Sequence, residues 1–538
     1  MIKFMSKPLS LGLLTLSFLS DVALSSPVVD AEARATTTTT ASSTFVSAVL
    51  DGVTYVNKGI VGFGLIPADF VDSVGDTMGG FGSAIAFKPG TWQPLENGSY
   101  SGTIVAHPDR GFNVISTVDY RSRQHEIDFI LKPYRGTDNL TFDAAQETLQ
   151  LFYIDTILQF DRGGGNTSGL DAGDTHFAFV ARVLSQLYLE AVRPVEDGFP
   201  TVVLADPQMP IADDAEPHLT LDIEGIIASL DGTYWISDEY GPYIYHYTAN
   251  GTLIQTIQPP EAFLPLSSDG ILNFTSVVDP DTGRGGNKGF EGLTLDAANN
   301  VLYAMLQEAT IQDGGSDKTT AQYTRMVAYD IADATTVRPT LVGEWVVPLP
   351  VSTSKNTVRA CSEIHFVSDN IFFALSRDGN GNGDGNTTDD TTSKYKQADL
   401  FSISQATNIA GSDFDNPSTP VAPNGVLESS VTPATYVSFV NYIDPVQIAR
   451  FGLHNGGIED STLVNEKWES FALAPVGDPA NPNDYFLFTA SDNDFLTTNG
   501  ISLGIPYDAG VNVDNQFLVF QVTLPSVPAG SIQFAIGI

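Results

Sequence analysis

The chain runs to 538 residues, 42% hydrophobic and 10% aromatic, with 48 Gly and 31 Pro. So apolar a composition excludes global disorder, and the Gly and Pro content suits many short strands joined by turns. A formal charge of −39, from 64 acidic against 25 basic residues, excludes nucleic acid and anionic membranes as partners and attracts cations.

Taken from the N-terminus, Lys3 and Lys7 precede an apolar run over residues 9–19, and Ala23 and Ser25 supply the small residues of a cleavage site. Residues 1–25 therefore read as a signal peptide, and the mature chain as secreted, extracellular and without a membrane anchor. Six Asn-x-Ser/Thr triplets, at Asn97, Asn139, Asn166, Asn250, Asn273 and Asn386, are expected glycan acceptors in that compartment. Residues 26–45, with threonine at every position from 36 to 40, read as a flexible terminus ahead of one domain over 46–538. Cys361 is the only cysteine, so no internal disulfide can form. Its place before an apolar strand pattern predicts a buried, inert thiol.

One unit recurs through the domain: a polar residue, a short apolar strand, a turn, a second apolar strand and a further polar cluster. It is clearest over residues 222–257. There Asp222-Ile-Glu224-Gly225, the turn Asp231-Gly232, a strand ending in Asp238-Glu239 and the turn Asn250-Gly251 predict a four-stranded meander. Further copies centre on Glu291-Gly292, Glu363-Ile364 and Glu469-Ser470, with a weaker one running from Ser83 to Asp109-Arg110. Sheets repeated in this way predict an all-β protein with a single β-propeller. Glu224 and Glu291 lie 67 residues apart, and Glu291 and Glu363 lie 72 apart. The 141 residues from Ser83 to Glu224 leave room for two units, with a strand-like stretch over 148–160 in the gap, while the 106 from Glu363 to Glu469 are one unit plus an insertion. About six blades follow, with seven as the alternative and residues 516–524 as closing strand. Asp444-Pro445, an apolar run and Gly452 predict one short helix, and residues 176–192 have the composition of a helical insertion.

The innermost strands of a propeller run beside its axis, so equivalent residues form a ring. Glu224, Glu291, Glu363 and Glu469 are expected to converge there with Ser83. Such carboxylates either hold cations, with Ca²⁺ the natural extracellular choice for oxygen ligands, or accept backbone N–H groups from the next blade. Asp109, Arg110, Asp238, Glu239, Tyr240, Arg377, Asp378, Asp492 and Asp494 follow strands that pair with the inner ones and are expected at one rim. His365 shares a strand face with Glu363. Asp378, Asn380, Asn382 and Asp389 match part of a calcium-loop template, and read either as Ca²⁺ ligands or as a polar loop. The sequence contains no Gly-x-Ser-x-Gly elbow, phosphate-cradling Gly-Lys-Ser/Thr loop or zinc-type His pair.

The segments Asp222-x-Glu-Gly, Ser237-Asp-Glu-Tyr-Gly-Pro-Tyr243, Asn287-Lys-Gly-Phe-Glu-Gly-Leu293, Leu375-x-Arg-Asp378, Lys467-Trp-Glu469 and Ser491-Asp-Asn-Asp-Phe495 resemble the phytase-like family, also described as the esterase-like activity of phytase. The likeness spans roughly residues 75–525, and the Asp/Asn/Gly-rich loop looks like fungal members. Two departures are Ser470 where glycine is usual and Ser83 where a glutamate would complete the ring. The resemblance implies a propeller with phosphoric-ester hydrolase activity. On that footing Glu224, Glu291, Glu363, Glu469, Asp238, Asp492 and Asp494 are expected to hold Ca²⁺. Arg110, Lys288, Arg377 and Tyr240 would bind a small phosphate ester. Glu239 would be the general base beside Glu224 and Glu291, acting on a water that the metal activates. Two alternatives stand. A metal-dependent lactonase or ester hydrolase would use Asn287 and Asn493 as ligands. A non-catalytic propeller would bind cell-wall glycans or cations, stacking sugars on Tyr240, Tyr243 and Trp468. A monomer is expected in each case.

Overall fold

A computed structural model describes residues 45–110, 119–172, 206–212, 217–335, 337–383 and 391–538. The signal peptide, all but the last residue of the 26–45 terminus, the 176–192 insertion, Asn386 and Asp389 lie outside the described residues. Among the described residues five blade-sized antiparallel sheets form a propeller, where the spacing predicts about six.

The first blade pairs Ala84–Phe87, Tyr100–His107, Arg123–Leu131 and Leu149–Leu158 in that order. The second is the predicted meander Ile223–Ala228, Tyr234–Asp238, Ile244–Tyr247 and Leu253–Ile257. Its hairpins turn at Gly232 and Gly251, whose φ values of 86° and 84° are open to glycine. The third blade holds Phe290–Asp296, Val301–Leu306, Tyr323–Asp330 and Thr340–Pro348, and the fourth Cys361–Ser368, Ile371–Arg377, Lys396–Ser402 and Thr435–Asn441. In the fifth, Ala472–Pro475 is followed by Asp484–Asp492, Asn515–Thr523 and Val53–Ile66, with Val46–Leu50 on the edge. The N-terminal strand therefore supplies the outer part of the last blade. The predicted closing strand Asn515–Thr523 lies inside that blade, Phe63 pairing with Leu518 across it.

The second unit expected between Ser83 and Glu224 does not form a separate sheet among the described residues. The stretch between the Ser83 and Glu224 units does form a strand, Leu149–Leu158, but it pairs with Arg123–Leu131 as the outer strand of the first blade. Among the described residues of the rest of that gap, Thr167–Ser168 pairs in parallel with Leu219–Thr220. The insertion expected between Glu363 and Glu469 lies between the last two strands of the fourth blade. It is pinned by Arg325, which donates to Asp313 Oδ2 at 2.7 Å, Glu344 Oε1 at 2.9 Å and the Phe414 carbonyl at 2.8 Å. The predicted helix is Pro445–Ala449, with Asp444 accepting from Val446 N and Gln447 N at its start.

Blades are glued by aromatic residues. Phe87, Trp92, Tyr100 and Phe129 of the first interlock with Phe486 and Phe488 of the fifth, each burial contributing about 2–3 kcal/mol. Near the axis the inner strands approach more closely still. A Cβ on Gly225 would lie 2.6 Å from Leu293 Cβ, and one on Gly292 would lie 2.9 Å from Ile364 N. The repeated Glu-Gly pair thus marks where one blade's inner strand touches the next. In the fifth blade the roles move: Gly82 makes the close approach, its Cβ position 2.0 Å from Ser491 O, while Ser470 Oγ donates to Gly82 O at 2.7 Å. Ser470 in place of glycine is accounted for by that bond.

Candidate metal centre at the axis

The inner strands of the second and third blades each carry a β-bulge. The ladder skips from Ile223 to Gly225 and from Phe290 to Gly292, leaving Glu224 and Glu291 as the extra residues. A bulged residue is re-aimed out of the sheet's alternation. Both carboxyls end up buried and feel one another, Glu239 or Asp222, and Glu469 as charged neighbours. In the fourth blade the skip falls one residue earlier, from Cys361 to Glu363. Ser362 takes the bulged place and Glu363 returns to the ladder opposite Leu375. A one-residue shift turns a side chain to the other face.

Glu363 therefore does not stand with the ring carboxylates. Its Oε1 accepts from Leu293 N at 2.9 Å and Ile364 N at 2.7 Å, tying the third blade to the fourth. Glu363→Ala strands two buried N–H groups and should destabilise the fold by about 2–3 kcal/mol in denaturant titration while cation binding persists. A loss of cation binding without loss of stability would contradict this assignment.

The remaining acids come together from the first, second and fifth blades. Asp109 follows the second strand of the first blade, Asp222 precedes the bulge, and Asp492 and Asp494 follow one another at a strand end. Asp109, Asp222 and Glu224 each offer an oxygen within 4.8 Å of the others, and so do Asp109, Asp492 and Asp494. That span fits ligands about 2.4 Å from a shared ion, and an all-oxygen donor set suits a hard cation such as Ca²⁺ rather than zinc.

Around them stand Glu239, Glu291 and Glu469, making eight carboxyls with Asp109, Asp222, Glu224, Asp492 and Asp494. Three cations bond these carboxyls, and the buried Arg284 acts on Glu239 through space. Arg110 pairs with Asp222 at 3.1 Å and Asp171 at 3.2 Å, and also bonds Tyr240 and Asn287. Arg377 bonds Glu469. Lys467 bonds Asp492 and reaches Asp494 at 2.8 Å, Asp109 at 3.5 Å and Glu469 at 3.7 Å.

Burial with this excess of acid pushes Asp109 and Glu239 up to about 8, and Glu224, Glu291 and Asp492 well above the usual carboxylate range. Asp494 is held low: its burial is outweighed by the Lys467 ammonium. Glu291 accepts from Gln307. Without a cation, Glu239 carries a proton at neutral pH, which is not the state of a general base.

Several expected site residues serve the scaffold. Asp238 is fully buried, accepting from Asp222 N at 2.7 Å, Gly241 N at 3.1 Å and Tyr245 Oη at 3.2 Å. Tyr240 Oη donates to Gly169 O, Tyr243 Oη to Gln208 O and Trp468 Nε1 to Asn465 O. All three rings are buried, so none offers a stacking face to a glycan. Lys288 pairs with Glu308, and Asn493 bonds Gly80 N, Phe495 N and Val513 O. Asn287 Oδ1 accepts from Arg110.

The calcium-loop match also separates. Asp378 clamps the loop's base, accepting from Ser393 Oγ at 2.7 Å, Lys394 N at 2.6 Å and Tyr395 N at 3.1 Å, with Lys396 3.6 Å away. Asn380 is half-buried near the loop's start. Asn382 is bridged instead to Asn465. His365 Nδ1 pairs with the Phe366 carbonyl oxygen. Cys361 is buried, its thiol pushed up by burial and donating to Glu363 O, the inert state expected of it.

Asp222 and Lys467 were not singled out as site residues from the sequence. The available signal was period two: Asp222-x-Glu224, Lys467-x-Glu469 and Asp492-x-Asp494 each place two charges on one strand face.

The family model for the phytase-like group, described as esterase-like activity of phytase, matches residues 83–495. An uncharacterized secreted protein of Arthroderma benhamiae is 36% identical over 478 residues, covering 84% of this chain and 89% of that one. Among solved structures, the periplasmic gluconolactonase of Pseudomonas aeruginosa aligns over 85% of this chain and 98% of its own, at 12% identity and a TM-score of 0.28. A putative 6-phosphogluconolactonase from Bacteroides uniformis covers 86% and 91%, at 12% identity and a TM-score of 0.26. Likeness at those scores bears on neither ligand nor activity. No helix among the described residues is long and apolar enough to cross a membrane. The family match and the secreted relative together show that this chain belongs to the phytase-like family, as a secreted member.

Proposed function

We propose that this protein is a divalent-cation-dependent hydrolase of ester bonds, with phosphoric esters as its substrate class, and that Asp109, Asp222 and Glu224 hold the cation. The observation that carries this reading is the convergence of three buried carboxyls from two blades on one point. In an extracellular setting Ca²⁺ is the cation of choice for such a donor set. When bound, it supplies Lewis-acid polarisation of the ester's phosphoryl oxygen.

The chain's own groups have separate parts. Arg377, partly exposed and fixed by Glu469, orients an anionic substrate oxygen. Glu239 is the proton-transfer group, its Oε1 buried without a hydrogen-bond partner among the described residues. Arg110, held between Asp222 and Asp171, positions the Asp222 ligand rather than meeting substrate. Asn97, Asn139, Asn166 and Asn250 are exposed and Asn273 half-buried, and we read them as glycan acceptors on the secreted protein.

A second reading has one observation in its favour. Arg110, Arg377, Lys467 and Lys288 are each already in an ion pair, which leaves a weak field for a polyanion and favours a neutral ester or lactone. Assays of the purified chain on phytate, p-nitrophenyl phosphate and lactones separate the two. The expected result is phosphate release that chelation abolishes and Ca²⁺ restores. Ca²⁺-dependent ring opening without phosphate release would transfer the assignment to the second reading. Inactivity on all of them would leave a binding propeller.

A further inference from the structure

We infer that the axis has two adjoining cation positions and that the protein fills the second with its own lysine, so that Asp109 bridges one divalent cation and the Lys467 ammonium. The inference rests on the cation reading for Asp109, Asp222 and Glu224 given above.

The two three-carboxyl groups share a single residue, Asp109. Equal in number of carboxyls, they differ in what lies inside them. The second group already contains a cation: Lys467 Nζ bonds Asp492 Oδ2, lies 2.8 Å from Asp494 Oδ1 and 3.5 Å from Asp109 Oδ2, and has Glu469 Oε2 at 3.7 Å. Four acids thus surround one ammonium. Among the described residues no lysine or arginine is shared by the three carboxyls of the first group in this way, and Arg110 meets it through Asp222. Beside it, Glu239 Oε1 and Glu291 Oε2 are buried with no hydrogen-bond partner among the described residues. The cage with unanswered oxygens beside it and the cage with a resident ammonium are therefore distinct.

Two cations a few ångströms apart can clamp the entering and leaving oxygens of a displacement. An ammonium in one position supplies fixed charge and hydrogen bonds but no exchangeable coordination. The predicted stoichiometry is one divalent ion per chain, not two.

Calorimetric titration of the chelator-stripped full chain with Ca²⁺ tests this. Wild type and Lys467→Arg should each bind one equivalent. Lys467→Met removes the ammonium at similar length, leaves Asp109, Asp492 and Asp494 unneutralised, and should bind two. Lys467→Gln, which keeps a hydrogen-bond donor, serves if the methionine variant does not fold, with the same expectation. One equivalent in a folded, uncharged variant overturns the inference while leaving the cation reading intact, as does a wild type that binds two. A wild type that binds none removes the cation reading and the inference together.

Discussion

Replacing Asp109 with asparagine should abolish Ca²⁺ binding and lower turnover by about 10³-fold while the fold survives. Asp109 is common to both three-carboxyl groups, so its loss removes a ligand from the first and a counter-charge from the second. Losing roughly 4 kcal/mol of metal-borne transition-state stabilisation corresponds to that factor. Asparagine keeps the shape of a side chain that packs closely under the backbone near Gly80. It also reduces like-charge repulsion with Asp222, Asp494 and Glu469, so the melting temperature of the stripped variant should not fall. Calorimetric Ca²⁺ titration and activity assays on the same preparation check the result. Wild-type affinity in Asp109→Asn would refute the assignment of the centre.

The second large effect is a dependence of stability on pH whose direction reverses the usual carboxylate case. Burial raises Asp109, Asp238 and Glu239 to about 8 in the fold, against 3.8 for aspartate and 4.5 for glutamate in the unfolded chain, and raises Glu224, Glu291 and Glu363 well above the usual carboxylate range. The folded state then binds more protons than the unfolded one between about pH 4 and pH 8, so stability falls as pH rises through that window. In chelator, the melting temperature should drop on the order of 5 °C or more between pH 5 and pH 8. Saturating Ca²⁺ should recover most of that loss at pH 8, because a cation replaces the protons and stabilises by mass action. A melting temperature that rises with pH in chelator, or one indifferent to Ca²⁺ at pH 8, would show that the acid excess is not buried as described.

The two results bear on each other. Asp109→Asn removes one of the raised carboxyls, so its pH slope in chelator should be shallower than that of wild type and insensitive to Ca²⁺. Glu363→Ala also removes a raised carboxyl but retains the Ca²⁺ rescue, since Glu363 is bonded to backbone N–H groups and not to the cluster. The pair separates the carboxyls of the centre from the one that fastens two blades.

Much of this molecule was written locally. The second blade follows from apolar strands of even length and from Asp231-Gly232 and Asn250-Gly251, because a tight hairpin depends only on residues near in the chain. The Pro445–Ala449 helix follows from its own cap and proline for the same reason. The carboxylates brought by the repeat, Glu224, Glu291 and Glu469, were legible because identical units repeat identical placements. What sequence spacing could not settle were relations between distant residues. Leu149–Leu158 became the edge of the first blade because its partner was Arg123–Leu131, and Val53–Ile66 closed the fifth across more than 450 positions. A bulge displaced by one residue took Glu363 out of the ring, and no spacing between glutamates encodes where a ladder slips. Which acids meet Lys467, and which gather as Asp109, Asp222 and Glu224, was decided only where the first, second and fifth blades meet. Charge compensation acts over a few ångströms in space, whatever the separation along the chain.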